Sequence, residues 1–219
     1  MDIKILYEDR RILVAIKPFG VLSTNEPGGM PELLRDYLGD PQACVRTVHR
    51  LDQVVGGVMV FARSAEASRR LSGQMERREF HKEYLAVVHG TPEAEQGTFR
   101  DLLARDGRLR RTYVTGEPGK DVREAVLDYR LLASNGGLSA VAIQLHTGRT
   151  HQIRVQFSSR NLPLAGDQKY GIDDGFEHIA LWSHSLSFSH PESGERMHFS
   201  APPPEMQPWI CFGDSGIFR

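Results

Sequence analysis

AVLDYRLLASNGGLSAVAIQLH, residues 125–146, is the stretch that decides the fold class. Two apolar runs flank Ser134-Asn135-Gly136-Gly137. Asn and Gly accept the positive φ that a tight hairpin turn demands, so the runs are expected to be neighbouring antiparallel strands. Outward from this hairpin, similar short runs recur as IKILY (3–7), RILVAIK (11–17), GVMVFAR (57–63) and KEYLAVVHG (82–90). Fewer segments read as helix. PELLRDYL (31–38) opens on a proline that a first helical turn tolerates. Ser64 is an N-cap candidate, with Ala67, Leu71 and Met75 following as an inner stripe. A third helix is expected to begin near Thr150, to place Ile153 and Phe157 on one face, and to end around Asn161-Leu162-Pro163. Strands outnumber helices, and the class expected is α+β, with a mixed, largely antiparallel sheet and flanking helices.

The chain of 219 residues is expected to form a single domain, 1–219. With 40% hydrophobic and 25% charged residues it can bury an ordinary core. No apolar run reaches the ~18 residues of a membrane span. MDIKILYEDRR lacks the apolar stretch of a secretory signal. Cys44 and Cys211 stand far apart, outside any CxxC pair, as reduced cytosolic thiols would. These features lead to the expectation of a cytoplasmic protein without a membrane partner. The net charge of −1, from 27 basic against 28 acidic residues, is low for a non-specific nucleic-acid binder. The arginines are nevertheless clustered: Arg69, Arg70, Arg77 and Arg78 with Lys82, then Arg100, Arg105, Arg108, Arg110 and Arg111. Such clusters are either solvated faces or a track for a phosphate backbone, and charge alone does not choose.

Two segments carry chemistry. In VHRLDQVVGGVMVFARS (48–64), Asp52 precedes Gly56-Gly57 and an apolar run, which puts a carboxylate on a loop held by a buried strand. Taken alone, Asp52 also fits a surface pair with Arg50. In LHTGRTHQIRVQFSSRNLPLAGDQKYG (145–171), Arg149, Thr150 and His151 fall where the third helix should start, a place suited to an anion. Arg154 follows on the helix, where an ordinary surface ion pair is the plain alternative. Gly148-Arg149-Thr150 does not have P-loop spacing, and no His or Cys pair has convincing metal-ligand spacing, so no metal site is expected.

Together VHRLD, KEYLAVVHG, TGRTHQIRV and LPLAGDQKYG resemble, in order, the signature segments of RluA-type RNA pseudouridine synthases. The flanks ILVAIKPFGVLS (12–23) and ALWSHSLSFSHPESGERMHFSAPPPE (180–205) agree. The resemblance runs from about Ile5 to Glu205. It implies the pseudouridine synthase fold with a central RNA-binding cleft. It implies an isomerase that converts uridine in structured ribosomal or transfer RNA to pseudouridine without a cofactor. By similarity Asp52 is the essential carboxylate, Tyr84 stacks on the target base and helps move a proton, and Arg154 pairs with the aspartate. Arg50 matches the arginine associated with displacing the target nucleotide, and His49, Arg149, Thr150 and His151 join it as expected substrate-binding residues. Many relatives carry an S4-type RNA-binding module before this domain; the segments here match the catalytic domain only, and a monomer with no obligate protein partner is expected.

The sequence departs from the pattern at one place. Relatives commonly continue HRLD with two variable residues and then Thr-Ser-Gly, whereas Val55 and Gly56 stand at the Thr and Ser positions here. Two hydroxyls that could brace the loop are missing, so the loop is either looser or repacked. The rival reading is a non-catalytic RNA-binding protein that retains the fold, against which the joint presence of Asp52, Tyr84 and Arg154 argues. A hydrolase using Asp52 with His49 or His151 has no GxSxG or HExxH signature to support it.

Overall fold

The computed structural model describes residues 2–218. Along the chain come β1 (Ile5–Glu8), β2 (Ile12–Lys17), α1 (Met30–Leu38), β3 (Arg46–Thr47), β4 (Gly56–Ala62), α2 (Ala65–Glu76), β5 (His81–His89) and β6 (Gln96–Asp106). There follow β7 (Arg111–Thr115), β8 (Arg123–Asn135), β9 (Leu138–Leu145), α3 (Gln152–Ser158), β10 (Leu181–Ser189), β11 (Arg196–Ser200) and a 3-10 helix (Trp209–Ser215). The class is α+β, as the run pattern implied. The chain folds as two compact units, Met1–Lys82 with Trp182–Pro202, and Glu83–Leu181 with Pro203–Arg219.

In the first unit β2 pairs antiparallel with β1 and with β4, β3 pairs antiparallel with β4, and β11 with β10. The exception is β4 with β10, which run parallel, placing Trp182 opposite Gly56 and Ser183 opposite Gly57. The core gathers Ile12, Val14, Val58, Val60, Leu186 and Phe188 of the strands against Ala67 and Leu71 of α2. These helical residues are the stripe expected from their spacing. Ser64 caps the helix, its Oγ accepting from the Ala67 N–H at 3.1 Å.

In the second unit β5, β9, β8, β6 and β7 form an antiparallel series. The β8–β9 hairpin closes on Gly136 and Gly137, both at positive φ (58° and 82°), as a two-residue turn of the primed type requires. Phe99, Tyr129 and Phe157 cluster with centroids 4.7 to 6.0 Å apart, Phe157 standing edge-on to the other two rings. The start of α3 differs from the sequence expectation. Arg149, Thr150 and His151 precede the helix rather than forming its first turn, because the Gln152 side chain folds back to accept from the Arg149 N–H at 3.0 Å and from Thr147 Oγ1 at 2.8 Å. His151 is left at the N-cap with φ 56°, an uncommon conformation for a residue with a Cβ.

Candidate functional site

The Asp52 loop joins β3 to β4, and its main chain is gripped on both sides of the carboxylate. Before Asp52, buried Ser23 Oγ donates to the Leu51 carbonyl at 2.8 Å and accepts from the Leu51 N–H at 3.0 Å. After it, the Gln53 carbonyl accepts from the Gly20 N–H at 2.9 Å and from Lys17 Nζ at 3.0 Å. The Gln53 side chain returns a bond to the Gly20 carbonyl at 2.9 Å, and the Val55 N–H closes a turn onto the Asp52 carbonyl at 2.9 Å. The half-buried Asp52 thus sits on a backbone that has little freedom.

Lys17 has no exposed surface, and its ammonium also donates to the carbonyls of Pro18 (2.8 Å) and Val21 (2.6 Å). Burial pulls its pKa down to about 8, while the negative charge of Asp52 acts in the opposite direction. The cation therefore serves as a three-way clamp and a source of positive potential near Asp52. Neither Lys17 nor Ser23 was assigned a role from sequence. The available signal was a lysine closing an otherwise apolar strand run.

His49 is buried, with its ring 5.7 Å from that of Phe80 and its Nε2 accepting from the Val60 N–H at 3.2 Å. Burial, then the Lys82 charge, lower its pKa to about 3, so it stays neutral and ties the loop to β4. Arg50 is exposed beside it.

In the second unit, Tyr84 is buried on β5 opposite Ile143 of β9. Arg154 lies on α3 and is held by Asp167, with Nε to Oδ2 at 2.8 Å and Nη2 to Oδ1 at 2.6 Å. Their side chains are only 7% and 0% exposed. Burial alone would favour the neutral acid, but the Arg154 guanidinium and the N–H groups of Lys169 and Tyr170 outweigh it and hold Asp167 below the usual carboxylate range. A guanidinium carries five N–H donors in a flat fork, and Asp167 takes two of them along the Nε–Nη2 edge. The Tyr170 ring lies 5.1 Å from the Arg154 guanidinium and 5.0 Å from that of Arg111. Its hydroxyl accepts from the Thr112 N–H at 2.8 Å and bonds His151 Nδ1 at 2.7 Å. Asp167 and Tyr170, both within the LAGDQKYG segment, therefore orient Arg154 and His151. Their roles depend on contacts that no spacing rule exposes. Arg149 and Thr150 are exposed, with Arg149 Nε donating to the Glu124 carbonyl at 2.9 Å.

The sequence-derived candidates thus divide between the units: His49, Arg50 and Asp52 in the first, Tyr84, Arg149, Thr150, His151 and Arg154 in the second. The arginine clusters also differ. On α2, Arg70 pairs with Glu66 at 2.6 Å, and just beyond the helix Arg77 pairs with Glu79 at 2.9 Å. At the β6–β7 hairpin, Arg105, Arg108 and Arg110 have no ion pair among the described residues, and Leu109 between them is 69% exposed. Among the described residues no helix is long and apolar enough to cross a membrane.

A family model described as RNA pseudouridylate synthase matches residues 11–159. The chain is 38% identical over 230 residues to ribosomal large subunit pseudouridine synthase D of Xanthomonas campestris, covering 94% of this chain and 67% of the relative. It is 35% identical over 218 residues to the uncharacterized RNA pseudouridine synthase YlyB of Bacillus subtilis, covering 94% and 70%. Human RNA pseudouridylate synthase domain containing 1 shares the fold, with a TM-score of 0.79 at 24% identity over 96% of this chain and 87% of the human one.

Proposed function

The chain belongs to the RNA pseudouridylate synthase family, and on that premise we propose that Asp52 carries out the isomerisation of uridine in structured ribosomal or transfer RNA. The observation that carries this reading is the two-sided grip on Leu51 and Gln53, which presents the intervening carboxylate on a fixed backbone. The name of the Xanthomonas relative favours ribosomal RNA as the first substrate to try.

The reaction breaks the N1–C1′ bond, turns the uracil, joins C5 to C1′ and moves one proton from C5. Every atom of the substrate is retained, so neither a redox partner nor a group donor is needed. An ionised Asp52 acts either as a nucleophile or as a stabiliser of positive charge at the sugar. Lys17 on its own unit places positive charge near it, and Arg154 is the cation that the family pattern pairs with it. Tyr84 offers an aromatic face for the base and a phenol to relay the C5 proton. Arg50, Arg149, Thr150 and His151 contact the RNA, while His49, expected from the resemblance to bind substrate, is buried and acts by anchoring the loop that carries Arg50. The unpaired arginines of the β6–β7 hairpin supply phosphate contacts. The enzyme works in the cytoplasm, as a monomer. The test is to incubate purified protein with unmodified large-subunit ribosomal RNA and transfer RNA transcripts and map new pseudouridines. Conversion of one or a few uridines by wild type, and none by Asp52→Asn, is the expected result.

A further inference from the structure

We propose that Trp182 is a positioning residue for the Asp52 loop and that Gly56 is the receptor shaped to take it. The proposal rests on the reading of Asp52 as the catalytic carboxylate.

Gly56 is the first residue of β4, four positions after Asp52, and lies opposite Trp182 in the parallel β4–β10 pair. A Cβ at position 56 would stand 2.5 Å from Trp182 Cζ3, 3.1 Å from Cε3 and 3.2 Å from the Lys17 carbonyl oxygen. The benzo edge of the indole therefore rests directly on the main chain, in space that any side chain at 56 would claim. Gly57 is equally constrained: its φ is +125°, and a Cβ there would come within 2.4 Å of the Ser183 carbonyl oxygen.

The indole cannot simply swing away. Its Nε1 donates to the Ala201 carbonyl at 2.9 Å, and its ring packs against Phe19 with centroids 5.7 Å apart. Phe19 sits between Lys17 and Gly20, two of the residues that grip Gln53. One rigid plate thus touches both the strand that leaves the Asp52 loop and the segment that clamps it. Val55, the other position where the sequence departs from Thr-Ser, is buried as well. In place of two hydroxyl braces, this chain has a buried valine and a tryptophan seated on a glycine. The loop is repacked, not loosened.

The interlock predicts that restoring serine at 56 is harmful while Trp182 is present and tolerated once it is gone. Four proteins are compared with wild type on unmodified large-subunit ribosomal RNA and transfer RNA transcripts: Gly56→Ser, Trp182→Leu, the double variant, and Asp52→Asn as reference. Trp182→Leu should lower kcat tenfold or more with KM within threefold. Gly56→Ser should lose at least as much, and the double variant should recover at least fivefold over Gly56→Ser. If Gly56→Ser fails to fold, a folded double variant carries the same meaning, and an equally unfolded one overturns the interlock. Losses that multiply without rescue, a loss confined to KM, or a Trp182→Leu kcat within twofold of wild type would also overturn it. A fully active Asp52→Asn overturns the catalytic reading itself, an outcome distinct from an inactive Asp52→Asn with no rescue in the double variant.

Discussion

Lys17 Nζ, sealed from solvent, donates to the main-chain carbonyl of Gln53 at 3.0 Å, one residue beyond Asp52. An ammonium buried among three carbonyls is a costly arrangement for stability alone, because the charge has lost its water. Its place beside the Asp52 loop accounts for the arrangement: it fixes the backbone and supplies positive potential to the carboxylate.

A pH dependence follows. Burial lowers the Lys17 pKa from 10.5 to about 8. Above pH 8 the folded protein loses this proton, while the unfolded chain keeps it up to the ordinary lysine range. Through that window Lys17 makes the fold more stable, not less, as neutralisation relieves the buried charge. Activity should nevertheless fall as pH rises through about 8, with no accompanying drop in thermal midpoint. Lys17→Met should be slower by tenfold or more at pH 7 and show no further decline near pH 8. Parallel pH-rate and melting profiles check this. A wild-type rate that is flat from pH 7 to 9 would contradict it.

Arg154→Ala should be far more damaging than Arg149→Ala. Removing Arg154 strands Asp167 as a buried charge, a loss of about 3–5 kcal/mol, whereas an exposed arginine usually changes stability by less than about 0.5 kcal/mol. Denaturant titration of both variants measures the difference, and pseudouridine formation is expected to follow the same order.

The Arg154–Asp167 pair should also set an acid limit. Asp167 titrates below its ordinary range in the folded state. Its contribution is therefore complete above the unfolded carboxylate pKa and is lost as pH falls below it. Asp167→Asn should be less stable at neutral pH and should flatten that acid limb. Melting temperatures from pH 7 to 3 provide the check.

Much of the fold was legible because its signals are local. The Gly136–Gly137 turn and the Ser64 cap each specify their conformation within a few residues. Strand β6 does not stand out as an apolar run, since Arg100, Asp101, Arg105 and Asp106 interrupt its apolar residues. The start of α3 is displaced from its expected position because a side-chain bond from Gln152 competes with the helical turn. Asp52, Tyr84 and Arg154 stood out through motif resemblance. Ser23, Lys17 and Asp167 did not, since they act across 28, 36 and 13 residues of sequence. Trp182 reads as an ordinary core aromatic until Gly56 is found beneath it.

RNA affinity should weaken steeply with salt despite the near-neutral net charge, because bound phosphates release counterions. Replacing Arg105, Arg108 and Arg110 by Ala should reduce the slope of log affinity against log salt by about one for each phosphate no longer engaged. Replacing Arg70 and Arg77, already paired with glutamates, should leave it unchanged. Filter binding at several salt concentrations separates the two clusters.

The most direct measurement maps pseudouridine across total RNA from cells with and without this gene, and from deletion cells given back either wild type or Asp52→Asn. One or a few sites, at uridines in loops or open elements from which a base can be extruded at modest cost, should vanish on deletion. They should return with wild type and stay absent with Asp52→Asn, although that variant still folds and binds RNA within several-fold of wild type. Restoration of the sites by Asp52→Asn at wild-type levels would contradict the assignment of the reaction to this carboxylate.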